Sequence, residues 1–112
     1  RANPRSAFST PTSGGQEDHV SMGATACWNL IEATKHLAQV LACELLIACE
    51  ALEYRVAEPA NHVKSLYALV RKISEPLAAD RSTSDEIERI AEELMKGGWL
   101  ARIEAECGRL PR

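Results

Sequence analysis

Gln16, Glu17, Asp18 and His19 stand side by side in the stretch TPTSGGQEDHVSMG, Thr10 to Gly23. A carboxylate held in a loop over a pocket and partly desolvated can act as a general base. Glu17 and Asp18 are placed for that role where a loop enters a helix. A plainer reading competes. Helix starts leave N–H groups unpaired and their dipole favours negative charge, so Asp18 can be a cap, Glu17 a solvated acid and His19 incidental. Glu44 is the second acid of interest, because it falls among Leu37, Val40, Leu41 and Ala48. A buried carboxylate needs a partner or a proton, and a structural ion pair or hydrogen bond is expected for Glu44. Ser13 has no local base to activate it as a nucleophile. His36 and His62 have no ligand-like companions and read as surface residues.

The four cysteines, Cys27, Cys43, Cys49 and Cys107, show no short paired spacing of the zinc-site kind. Cys43 and Cys49 would point about 120° apart on a helix, so neither a disulfide nor a shared metal is expected there. They read as buried reduced thiols in a cytoplasmic protein. No metal site is expected.

The elements that must position these residues follow from the apolar pattern. Pro4, Pro11 and the Gly14–Gly15 pair mark residues 1–18 as an extended arm or loop of active-site type. A helix should start near Asp18 or Ser21, either of which can cap it. No proline then appears until Pro59, so the helix should exceed 30 residues and reach about 50 Å. At 100° per residue its apolar sector holds Leu30, Thr34, Leu37, Ala38, Leu41, Leu45, Ala48 and Leu52. The opposite sector holds Glu32, Lys35, His36, Gln39, Glu50 and Glu53, interrupted by Ala42, Cys43 and Leu46. From about Leu37 to Cys49 the helix is apolar nearly all round, and such a helix must be covered on every side. It is not a membrane span, since Glu44 breaks it and it falls short of the roughly 20 apolar residues required.

Short helices should follow: one near Ala60–Ser74, one from the capping box at Thr83–Glu86 to Gly97, and one over Trp99–Cys107 ending at Gly108. Three short helices are too few to enclose the long one, so other chains should supply the rest. The expected fold is therefore all-α: one long central helix plus shorter helices, part of an oligomeric helical bundle spanning residues 19–112.

With 112 residues, one domain at most is expected. The formal net charge of −3 and an aromatic content of 4% argue against a nucleic-acid partner. Arg1 to Ser9 lacks the apolar core of a signal peptide.

The run PTSGGQEDHVSMG, Pro11 to Gly23, followed by VLACELLIACEALEYR, Val40 to Arg55, closely resembles the aromatic amino-acid ammonia-lyase family, its histidine branch in particular. The matching motifs are P-T-S-x-x-Q-E-D-H-V-S-M, then L-A-x-E-L-L, then a final Arg, here Arg55. The likeness continues more loosely through Val70-Arg71, Asp80-Arg81 and Asp85 to Glu88. It implies an all-helical homotetramer around a central bundle, with active sites built from loops of three subunits. It implies removal of ammonia from histidine, phenylalanine or tyrosine to give an α,β-unsaturated acid, or an aminomutase reaction. The electrophile of the family is a methylidene-imidazolone ring formed from an Ala-Ser-Gly segment. By analogy Glu17 is the catalytic residue, engaging the substrate's amino group or moving a proton, and Gln16 is a substrate-binding residue.

The sequence departs from the family in one decisive respect: it contains no Ala-Ser-Gly. Thr12-Ser13-Gly14 aligns with a family segment that does not cyclise. The chain therefore reads as the C-terminal portion, or a small subunit, of a lyase most similar to histidine ammonia-lyase. It should be inactive until a larger chain or missing segment supplies the electrophile. The competing expectation is a non-catalytic helical module that oligomerises or regulates.

Overall fold

The computed structural model describes residues 3–110. Among them the chain forms four α-helices and no β-strand. The helices are α1 (Gly23–Glu53), α2 (Asn61–Arg71), α3 (Ser84–Lys96) and α4 (Gly98–Cys107). Two compact units divide between His36 and Leu37, inside α1.

The first unit holds two 3-10 turns, Arg5–Phe8 and Ser13–Gly15, and the opening of α1. The helix begins at Gly23, later than the Asp18 or Ser21 start expected from capping. The cause is the arm: the Val20 N–H donates to the Thr10 carbonyl at 3.2 Å. The backbone there is committed to pairing with the arm and turns helical only beyond it. Ser21 Oγ then accepts the Gly23 N–H at 3.4 Å, and the Ala26 N–H reaches the Met22 carbonyl at 3.0 Å. Asp18 caps nothing. Arg5 Nη2 donates to Asn29 Oδ1 at 3.0 Å and fastens the arm to the first turns of α1. Trp28, Leu30 and Ile31 are exposed in this unit.

In the second unit the core gathers Ala38, Ala42, Leu46 and Cys49 of α1 with Val70 of α2 and Ile90 and Ala91 of α3. Three of the four α1 residues are small or slender, which lets other helices approach closely. The covered line of α1 runs between the two sectors read from sequence: Ala38 belongs to the apolar one, and Ala42 and Leu46 are among the residues that interrupt the polar one. Arg71 borders it. Its side chain is 10% exposed, and its guanidinium pairs with Glu50 at 2.8 Å and Glu53 at 2.9 Å and lies 5.2 Å from the centre of the Tyr67 ring. Two acids bordering the covered line are thus neutralised from α2. Burial works against the charge of Arg71, but Tyr67, Glu50 and Glu53 outweigh it and hold the group firmly cationic. Glu50 also accepts the Leu77 N–H at 3.2 Å, which ties down the chain after α2.

α4 packs on α2 and α3. Ser65 donates to Glu106 at 2.6 Å, and His62 Nε2 lies 2.9 Å from the Gly108 carbonyl at the end of α4. Gly97, at φ 74°, is the left-handed stop of α3 and turns the chain directly into α4. The capping box expected at Thr83 does not form: Thr83 makes no side-chain cap bond, and Glu86 pairs instead with Arg81. Of the cysteines only Cys49 is buried, and burial pushes its thiol up; Cys27 is exposed and the other two are half-buried. All four are free thiols.

The network at Arg71 makes stability depend on acid. The Tyr67 hydrogen bond is the largest cause holding Glu53 below its ordinary value near 4.5; partial burial opposes it and Arg71 adds to it. A carboxyl lowered on folding contributes stability above its unfolded pKa and loses it as pH falls through its folded pKa. The melting temperature of the chain should therefore fall as pH is lowered through and below the ordinary carboxyl range, and Glu53→Gln should flatten part of that slope. Thermal unfolding of both proteins across that range checks it; parallel slopes would remove Glu53 from the account.

Candidate functional site

Residues 9–20 close into a small hairpin. Pro11 and His19 face each other in an isolated antiparallel bridge. The Val20 N–H reaches the Thr10 carbonyl at 3.2 Å, and the Val20 carbonyl accepts from Ser9 Oγ. At the tip the Gly15 and Glu17 N–H groups converge on the Thr12 carbonyl, at 3.0 and 3.4 Å. The Gln16 N–H donates to the Ser13 carbonyl at 3.3 Å. Such a tight reversal requires left-handed backbone, and Ser13, Gly14 and Gly15 adopt φ values of 53°, 64° and 89°. Glycine carries this at little cost, but Ser13 does so against its Cβ, so the tip stores a small strain. Backbone strain of this kind gathers where geometry serves function.

The hairpin treats its polar residues unequally. Thr12 Oγ1 donates to Glu17 Oε2 at 2.9 Å. Gln16, Asp18 and His19 are exposed and make no side-chain hydrogen bond among the described residues. Glu17 is exposed as well, yet its carboxylate is held in place by a neighbour. Gln16 and Glu17 lie together at the end of the turn, with Asp18 and His19 returning along the second arm. The sequence pattern pointed to Glu17 but not to Thr12; the available signal was a hydroxyl residue opening a Thr-Ser-Gly-Gly turn, five residues before the acid.

Glu44 is not the buried acid expected. It is exposed on α1, pairs with no described residue and borders a groove of about 450 Å³ lined by Leu41, Leu45, Leu66, Trp99 and Ile103. The groove is nearly all apolar and carries no group that could work with Glu44 as an acid or base. Among the described residues no three His, Cys, Asp or Glu side chains are placed to hold a metal ion. No described helix is long and apolar enough to cross a membrane.

Comparison with known proteins places these elements. The sequence model of the aromatic amino acid lyases matches residues 1–72, the hairpin, α1 and α2. Histidine ammonia-lyase of Symbiobacterium thermophilum is 41% identical over 110 residues, which are 97% of this chain and 22% of the relative. That of Gloeobacter violaceus is 38% identical over the same share of the chain. Tyrosine aminomutase from Streptomyces globisporus superposes with a TM-score of 0.83 at 30% identity, over 96% of this chain and 21% of its own. Histidine ammonia-lyase from Trypanosoma cruzi does so with a TM-score of 0.80 at 31% identity, over 91% of this chain and 20% of its own. The chain thus spans about a fifth of the length of these relatives. Sequence and backbone agree across nearly all of it, and on that double agreement the chain belongs to the aromatic amino acid lyase family.

Proposed function

We propose that this chain is the C-terminal portion, or a small subunit, of an ammonia-lyase that acts on histidine in the cytoplasm. In this reading Glu17 meets the substrate, with Gln16 beside it. The observation that carries it is the Thr12–Glu17 hydrogen bond on a closed hairpin, which singles Glu17 out of three adjacent ionisable residues. Elimination of ammonia from an amino acid needs a proton removed from carbon and an amino group held as it departs. A carboxylate can accept a hydrogen bond from that amino group or take up a proton. Histidine is preferred to tyrosine or phenylalanine because the relatives at 41% and 38% identity carry that activity in their names. The aminomutase superposition speaks to the shared backbone.

The family's methylidene-imidazolone does not fit the residues of this chain. The sequence has no Ala-Ser-Gly, and the nearest run, Thr12-Ser13-Gly14, forms the hairpin tip, where the Thr12 carbonyl already accepts two N–H groups. No step of the reaction is assigned here to that group. It would come from a larger partner chain or a further segment, and the chain alone should release no ammonia from histidine. Self-association through the bare face of α1, in a tetramer-like bundle, is part of the same proposal.

Reconstitution tests it. The chain is co-expressed with a lyase segment carrying Ala-Ser-Gly, and ammonia and urocanate are measured with histidine as substrate, then with tyrosine and phenylalanine. Activity on histidine in the mixture and none from either part alone is the expected result. Ammonia release by this chain alone would overturn the division of labour. A stable assembly with no activity on any of the three would favour a non-catalytic module.

A further inference from the structure

Glutamate is a long side chain with several rotatable bonds, and on an exposed loop it ordinarily samples many rotamers. A base or amino-group anchor works only when its oxygen is in place before the substrate arrives. Among the described residues Glu17 has no ion-pair partner; it is exposed and held by Thr12. The Thr12 hydroxyl donates to Oε2 at 2.9 Å, and the Thr12 carbonyl accepts the N–H of Glu17 itself at 3.4 Å. One residue therefore grips both the backbone and the carboxylate of the other. Thr12 is in turn half-buried and β-branched, with restricted χ1, so its hydroxyl is a stiff donor. The left-handed run from Ser13 to Gly15 between them sets the distance.

We infer that Thr12 is a positioning residue: its hydroxyl fixes one oxygen of the Glu17 carboxylate and leaves the other, Oε1, free for the substrate's amino group. This rests on the proposed role of Glu17 and goes beyond it by naming what makes that carboxylate ready. A hydroxyl at this position is required for orientation, so serine should serve and valine should not. Valine matches threonine in shape and keeps the carbonyl contacts of the turn, so Thr12→Val removes the donor and little else.

Two measurements test it. In the full chain by itself, the side-chain carboxyl carbon of Glu17 is followed by NMR after specific 13C labelling. Its resonance should move in Thr12→Val and return to its original position in Thr12→Ser. In the reconstituted lyase, Thr12→Val should lower kcat about 10- to 100-fold with KM little changed, and Thr12→Ser should restore most of it. An unmoved carbon resonance in Thr12→Val would show that the hydroxyl does not hold the carboxylate and would overturn the inference. Full turnover in Thr12→Val, with Glu17→Gln inactive, would also overturn it while leaving Glu17 in its role. Full turnover in both variants would remove the role of Glu17 and that of Thr12 together.

Discussion

Glu17→Gln should lower turnover of the reconstituted lyase by about 10²- to 10⁴-fold, the usual worth of a positioned acid–base group, without changing assembly. Glutamine has the shape of glutamate, and its amide oxygen can accept the Thr12 hydroxyl as Oε2 does at 2.9 Å. The hairpin should survive, because its closure runs through the backbone of Thr10, Pro11, Thr12, His19 and Val20. What the substitution removes is negative charge and the capacity to take up a proton. Steady-state kinetics on histidine and light scattering on the same samples separate the two effects. A loss of kcat at unchanged mass supports the role of Glu17; unchanged kcat makes it a bystander. Asp18→Asn provides the comparison within the hairpin. Asp18 makes no hydrogen bond among the described residues, so its neutralisation should cost far less.

Much of the second unit was legible in the sequence because it obeys local rules. Gly97 and Gly108 end α3 and α4 where the chain needs positive φ, and both were marked as stops. α2 falls within the stretch expected before Pro76. The failures came where one part of the chain settles the fate of another. Residues 1–18 read from sequence as an extended arm or loop; that part of them closes into a hairpin depends on Pro11 meeting His19 and on Ser13 adopting a conformation its side chain resists. Asp18 was weighed as a cap because nothing local reveals that Val20 is held by Thr10. The sequence leaves the long helix apolar nearly all round from Leu37 to Cys49; which side this chain covers itself, that of Ala38, Ala42, Leu46 and Cys49, depends on α2 and α3 meeting it, with Arg71 of α2 beside Glu50 and Glu53. The motif singles out Glu17 as a candidate, but the hydrogen bond from Thr12 that sets its carboxylate apart from that of Asp18 appears only once the turn is built.

Among the described residues this packing leaves the opposite side of α1 without cover, and this gives the second large effect. Leu37, Val40, Glu44, Ile47 and Ala51 are all exposed and recur at alternating spacings of three and four, the seam of a helix–helix contact. At 100° per residue they lie about 175° from the line of Ala38, Ala42, Leu46 and Cys49, so this chain's own core helices leave them open. Val40 is 62% exposed and Ile47 66%. Side chains of this size gain about 1.5–3 kcal/mol each when fully buried, so a seam repeated on two copies can hold them together. Ile47→Glu removes that gain and brings a charge into the seam beside Glu44. Association should weaken at least tenfold, since about 1.4 kcal/mol corresponds to a factor of ten. Helix content by circular dichroism should stay the same, because Ile47 is not among the core residues that fold the unit. Glu44→Leu should act in the opposite sense, tightening association by completing the apolar seam. The mass of each protein across a dilution series decides the matter. A wild-type chain that is monomeric at every concentration, with Glu44→Leu no different, would mean that the seam serves no second copy.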